Sequence, residues 1–214
     1  GGMILCKSEF ADNVDKGCPL VIGGPLPHVM AAKAVAFSEA NSQSFVDYAH
    51  SIVSNAKVLA QTCIDNGLDV LTGGTDNHLL LINVGRMGLT GRMSEKAVRD
   101  AGITLNRNSI PFDPNGAWYT SGLRIGTPAT TTLGMGADEM KKIGDVLSDI
   151  LKNMYPAKIT KGNNAGKLSK ANYVLDNEVL NKARGKVKSL LDKYPVYPGV
   201  NVDFLKNICQ QIKL

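Results

Sequence analysis

A single arginine set inside a short apolar run constrains this chain more than any other feature. Residues 120 to 129 read TSGLRIGTPA, with Arg124 at the centre. A guanidinium in a run that favours burial must meet an anion, because an unpaired buried charge is strongly destabilising. Its planar five-donor fork suits a carboxylate held through two parallel hydrogen bonds. The small residues around it let a ligand approach the backbone. Two readings are open: a structural ion pair with an Asp or Glu, or a clamp on the carboxylate of a small ligand.

The run sits within an alternation of short strands and helices. Met3 to Cys6 reads as the end of a buried strand, and residues 7 to 24 as a loop rich in Gly, Pro and Asp. Pro25 and Pro27 suit the first turn of a helix that continues to Ala40. Ser44 is expected to cap a second helix, with Phe45, Ile52, Ala56, Leu59 and Cys63 at helical spacing and Asn66-Gly67 as its end. Val70-Leu71 and Leu79 to Val84 are strand candidates joined through Gly73-Gly74. Thr90 or Ser94 starts a helix that ends at Ala101-Gly102. Ile103 to Leu105 reads as a short strand, Asn106 to Trp118 as an irregular loop and Leu123 to Ile125 as another strand. Ala137 to Asn153 is an amphipathic helix built on Met140, Ile143, Val146, Leu147, Ile150 and Leu151.

The fold class is therefore α/β, with residues 41–155 as a compact domain around a small mixed or antiparallel sheet. Residues 156–175 are rich in Lys, Gly and Asn and read as a flexible basic insertion. Residues 176–214 hold a helix from Glu178 to Tyr194 and an extension, in which Val202, Phe204, Leu205, Ile208 and Ile212 mark a short helix.

Composition narrows the function. No run of the 214 residues is long and apolar enough to predict a membrane span. Residues 141–193 carry 12 Lys and Arg against 5 Asp and Glu, whereas the rest of the chain carries 12 against 14. That basic stretch lacks interleaved aromatics and any nucleic-acid motif, so it reads as a solvated helix face rather than a nucleic-acid surface. Cys6, Cys18, Cys63 and Cys209 have neither paired nor metal-binding spacing, which predicts free thiols in a reducing, cytoplasmic compartment. His28, His50 and His78 have no His or Cys at ligand spacing, and no metal site is expected.

Five words of sequence carry a resemblance. They are VIGGPLPHVMAAKAVA at 21–36, GGTDNHLLL at 73–81, LTG at 89–91, NSIPFDP at 108–114 and TSGLRIGTPA at 120–129. In this order and at these distances they closely resemble serine hydroxymethyltransferase, over residues 1 to 155 and again near Gly185 to Tyr197. The resemblance implies the small domain and the tail of the large domain of a fold-type I pyridoxal-phosphate enzyme. Residues 1–40 would then be the end of that large domain with its connecting helix. It implies pyridoxal 5'-phosphate as cofactor, tetrahydrofolate as co-substrate, serine and glycine as substrates, and a homodimer or tetramer. In the family a Schiff-base lysine precedes a turn ending in Gly-Gly. The opening Gly1-Gly2-Met3-Ile4 resembles the residues immediately after that turn, so the catalytic lysine is expected outside these residues. Lys7, Lys16 and Lys33 lack its context and read as surface lysines.

The resemblance also assigns residues. Arg124 matches the arginine that binds the substrate carboxylate, and Asn108 an asparagine on the pterin ring of the folate. Gly23 and Gly24 match a loop whose amides reach the cofactor phosphate of the partner subunit. The chain departs from the family there, with Ile22 where Gln is usual and Pro27 in place of a polar residue. Thr120, Ser121 and Gly122 are expected to position Arg124, and Thr75, Asp76, Asn77 and His78 to build a turn. The fragment alone is expected to be inactive. The competing reading is a non-enzymatic interaction or regulatory module of the same fold.

Overall fold

The computed structural model describes residues 2–18 and 20–212. They divide into two compact units, residues 1–49 and residues 50–214.

In the first unit an extended segment leads through a 3-10 turn at Ser8–Phe10 into α1 (Ala11–Gly17), followed by α2 (Pro27–Ala40) and the start of α3 (Gln43–Asp65). Met3 to Cys6 is not a strand, and the expected loop over 7–24 contains α1. Asp12 in the first turn of α1 and Lys16 in its last complement the helix dipole. Proline at the first position starts α2, its missing N–H being one that no helix satisfies there. The cap of α3 is Ser42 rather than Ser44: the Ser42 hydroxyl accepts from the Phe45 N–H at 3.2 Å. No described residue of 2–49 is buried, and Met30, Val35 and Phe37 of α2 are each more than half exposed.

The second unit holds the rest of α3, then β1 (Leu79–Asn83), α4 (Gly91–Asp100), β2 (Asn106–Asn108), α5 (Gly116–Tyr119) and β3 (Gly122–Gly126). After these come α6 (Pro128–Thr132), α7 (Ala137–Asn153), β4 (Met154–Lys158), β5 (Leu168–Leu175), α8 (Asn177–Lys193) and α9 (Val202–Ile212). Strands order β1-β3-β2, both pairs antiparallel, so the expected "mixed or antiparallel" sheet is antiparallel. The side-chain period of two sends Leu80 and Ile82 of β1 and Leu123 and Ile125 of β3 into one apolar cluster. They meet Leu59, Ala60 and Cys63 of α3, Met93, Ala97 and Val98 of α4, and Met140, Val146, Leu147, Ile150 and Leu151 of α7. Ala183, Val187 and Leu190 of α8 extend the same cluster.

Gly144 lets α7 approach α3, since a Cβ there would lie 2.8 Å from Thr62 Cγ2. The buried Glu139 ties the two ends of this layer. Its carboxylate accepts from the Gly136 N–H at 3.1 Å and from Lys193 Nζ, at the end of α8, at 3.4 Å. The Gly136 N–H is the main reason its pKa falls to about 2. Burial opposes the fall, and the Tyr194 and Lys193 side chains add to it.

Two expectations fail for physical reasons. The second strand lies at Asn106–Asn108, not at Ile103 to Leu105. Leu105 is spent on the core, and the polar residues after it pair through their backbones, which needs no apolar side chain. The basic stretch after residue 155, expected to be flexible, instead forms an antiparallel hairpin of β4 and β5. Its glycines, with Lys161, Asn163, Asn164 and Lys167, lie in the connection, while Met154 is buried and Tyr173 and Leu175 pack on the core. The Thr90 hydroxyl, which caps α4, also donates to the Lys170 carbonyl of β5 at 2.7 Å. The extension forms α9, as its spacing predicts; the side chains of Val202 and Ile212 lie outside the described residues. Among the described residues no helix is long and apolar enough to cross a membrane. No group of three His, Cys, Asp or Glu among them is placed to hold a metal ion.

Candidate functional site

The pleat that buries Leu123 and Ile125 puts Arg124 on the opposite face of β3, where it is exposed. This corrects the expectation of a buried guanidinium. No carboxylate among the described residues lies within ion-pair distance of Arg124, so the structural ion pair is not formed. Across the strands Arg124 pairs with Leu81 on one side and Asn106 on the other. Asn108 pairs with Gly122, two residues from Arg124, so Asn108 and Arg124 are diagonal neighbours on the same face. The Asn108 amide donates to the Ser109 carbonyl at 2.7 Å, leaving its own oxygen as an acceptor.

A residue that the sequence reading passed over organises this face. Asp113 Oδ2 accepts from the N–H of Ser121 at 2.7 Å and of Ile110 at 3.2 Å. Its Oδ1 accepts from the Ser121 hydroxyl at 2.6 Å and the Asn115 N–H at 2.9 Å. Burial alone would raise this carboxyl. The Ser121 hydroxyl and the three backbone N–H groups outweigh it and hold the pKa below the usual aspartate value. One part was legible: Asp followed two residues later by Asn115 is an Asx-turn signal. The bond to Ile110 also belongs to a local turn, in which the Asp113 N–H donates back to the Ile110 carbonyl at 3.1 Å; the bonds to Ser121, eight residues on, leave no local sequence mark.

The loop held by Asp113 packs hard against β3. A Cβ on Gly122 would lie 2.7 Å from the Asn108 carbonyl oxygen and 2.7 Å from Ile110 Cγ2. Phe112 and Thr120, neither of them glycine, have left-handed backbones with φ of 56° and 54°. Phe112 projects fully into solvent, whereas Thr120 is buried and its hydroxyl has no partner. Trp118 lies against two guanidinium groups, with Arg92 Cζ 4.7 Å and Arg107 Cζ 5.9 Å from its ring centre.

A cleft of about 810 Å³ opens beside this face. Leu79 and Leu81 of β1, the loop from Leu71 to Asn77, Lys57, Gln61 and Pro111 are among its lining residues. The turn within it is self-contained. Thr75 Oγ1 donates to the Leu79 carbonyl at 2.5 Å, and the Leu79 N–H donates to Asn77 Oδ1 at 3.0 Å. His78 is exposed, and its carbonyl accepts from the Thr127 N–H at 3.0 Å. Gly23 and Gly24 belong to the other unit, in the connection before α2. Gly23 has φ of 80°, nothing lies within 4 Å of a Cβ on either glycine, and no described residue accepts from either N–H.

An antiparallel sheet with one face in the core and the other exposing an arginine and an asparagine defines an α/β domain with an open polar sheet face. Comparison with known proteins gives this class its family. Residues 5–147 match the model of the serine hydroxymethyltransferase family, and the chain belongs to that family. It is 55% identical over 206 residues to a serine hydroxymethyltransferase of Treponema pallidum (strain Nichols), covering 96% of this chain and 35% of the relative. It is 51% identical over 203 residues to one of Salinispora tropica, covering 94% and 41%. With one of Chlamydia muridarum the identity is 47% over 205 residues, covering 96% and 40%. The chain thus spans about two fifths of the length of the curated relatives it matches.

Proposed function

We propose that the intact protein interconverts serine and tetrahydrofolate with glycine and 5,10-methylenetetrahydrofolate, and that β1, β2 and β3 form one wall of its active site. Arg124 holds the carboxylate of the amino acid. Its fork fixes the substrate in two directions at once, so the bond between the α and β carbons keeps one orientation. Asn108, beside it, presents its amide oxygen to the pterin edge of the folate. One N–H of its NH₂ group is held by the Ser109 carbonyl, and the second remains as a donor. Leu79 and Leu81 give this wall an apolar floor that sheds water around the ligands.

Pyridoxal phosphate, when bound through a lysine outside these residues, supplies the electron sink for the bond cleavage. The glycine pair fits its phosphate, because two backbone N–H groups with no acceptor among the described residues, and no side chains, leave room for an anion to approach. Residues 1–40 are the end of the cofactor-binding domain in this reading, and residues 41–155 the small domain. Exposed Met3, Ile4, Leu5, Val21 and Ile22 support it, since such side chains need a covering partner. A cytoplasmic homodimer or tetramer completes the proposal; four free cysteines fit a reducing compartment.

One observation carries the reading: in a member of this family, an exposed Arg124 with no acidic partner among the described residues stands diagonal to Asn108 on an open sheet face. The test is Arg124→Lys in the full-length protein, titrated with glycine. Losing the fork removes hydrogen bonds to a charged group, about 1.5–3 kcal/mol, so affinity is expected to fall at least tenfold. Unchanged glycine affinity refutes the assignment.

A further inference from the structure

We propose that Asp113 is a positioning residue that locks the Asn108 loop to the strand carrying Arg124, and so fixes the spacing between the folate and amino-acid ends of the site. The proposal rests on the functional reading above and goes beyond it, because Asp113 itself touches neither ligand in that reading.

The geometry is a clip. One carboxylate takes four hydrogen bonds, and its donors come from both sides of the loop. Ile110 lies two residues after Asn108, and Ser121 three residues before Arg124. Joining them closes the loop between the two binding side chains. Asn115 reinforces the closure, its amide donating to Ser121 Oγ at 3.0 Å while its oxygen accepts from Lys170 Nζ at 3.3 Å. The clip therefore also reaches the β4–β5 hairpin.

Strain on the same loop shows that something must hold it. Phe112 and Thr120 stand one residue before Asp113 and one before Ser121, both in left-handed backbone that non-glycine residues avoid. Thr120 adds a buried hydroxyl without a partner. Such conformations persist only where neighbouring interactions over-determine them. Bonds from three backbone N–H groups and a hydroxyl to a charged carboxylate are of that strength. Without them the relaxed loop would carry Asn108 away from its place opposite Gly122.

Asp113→Asn tests the idea with little change of volume. It puts an NH₂ group where two of the donors point, so two of the four bonds are lost. The full-length holoenzyme is titrated calorimetrically with glycine and with tetrahydrofolate, at a temperature where circular dichroism shows each variant folded. Both affinities are expected to fall, by about ten- to a hundredfold, as misplacement of binding groups by an ångström produces. A purely stabilising role would lower the melting temperature and leave both affinities within twofold of wild type; that result overturns the proposal. If Asp113→Asn does not fold, Ser121→Ala and Asn115→Ala decide. Weakened binding of both ligands in each supports the clip, and unchanged binding in both refutes it.

A second readout separates this proposal from the functional reading. Trp118 is the single tryptophan of the 214 residues and lies inside the clipped loop. Acrylamide should quench it more readily in Asp113→Asn than in the unmodified chain. If the wild-type enzyme binds neither ligand, the functional reading fails while the quenching difference still tests the clip.

Discussion

Replacing Gly122 with alanine should destabilise the second unit, while the same change at Gly126, four residues along the same strand, should not. Neither glycine has a left-handed backbone, so the comparison isolates space from conformation. At Gly122 the new methyl would sit 2.7 Å from the Asn108 carbonyl oxygen and from Ile110 Cγ2. The oxygen is backbone within a strand pair, and Ile110 is held by Asp113, so neither yields cheaply. Overpacking of this kind costs about 1–3 kcal/mol, and a clash with backbone belongs at the upper end, about 2–3 kcal/mol. At Gly126 the nearest atom is the His78 carbonyl oxygen at 3.5 Å, an ordinary contact. There the substitution removes only unfolded-chain freedom and should stabilise by up to about 0.5 kcal/mol. Urea unfolding followed by circular dichroism measures both, and melting should shift by about 5–10 °C for Gly122→Ala. If the two variants agree within about 0.5 kcal/mol, the close approach of β2 to Gly122 is wrong, and with it the placement of Asn108 beside Arg124.

Shifted ionisations give two further outcomes. Glu139 ionises at about 2 in the folded chain against an ordinary 4.5, so its contribution is complete above the ordinary value and is lost as pH falls from about 5 towards 2. Glu139→Gln should lower stability at pH 7 and flatten the pH dependence across that window; an unchanged acid-unfolding profile would contradict the role given to the Gly136 N–H. The Cys63 thiol is pushed up to about 12, first by burial and then by the charge of Asp145, whereas Cys6 and Cys209 are exposed. A thiol reagent at pH 8 should therefore modify Cys6 and Cys209 quickly and Cys63 only after unfolding; rapid labelling of Cys63 in the folded chain would show that the core is open.

The sequence by itself determined the elements whose signal is local. Ala137–Asn153 follows from apolar residues three and four apart, α2 from its proline start, and the strands β1 and β3 from short apolar runs. The order of five short words was enough for the family, because residues that hold ligands and tight turns sit at spacings that chance rarely reproduces. Local signal also set its limits. Arg124 was read as buried because its neighbours are apolar; pleating, which separates adjacent side chains onto opposite faces, made it exposed. The strand at Asn106–Asn108 carries no apolar pattern, since its place is set by backbone bonds to β3. The hairpin after residue 153 was hidden by the lysines and glycines of its connection. Asp113 was invisible for the deepest reason: Ser121, which gives it both a backbone N–H and a hydroxyl, reaches it only when the loop closes on the sheet. A carboxylate's role depends on which donors surround it, and tertiary structure alone decides that.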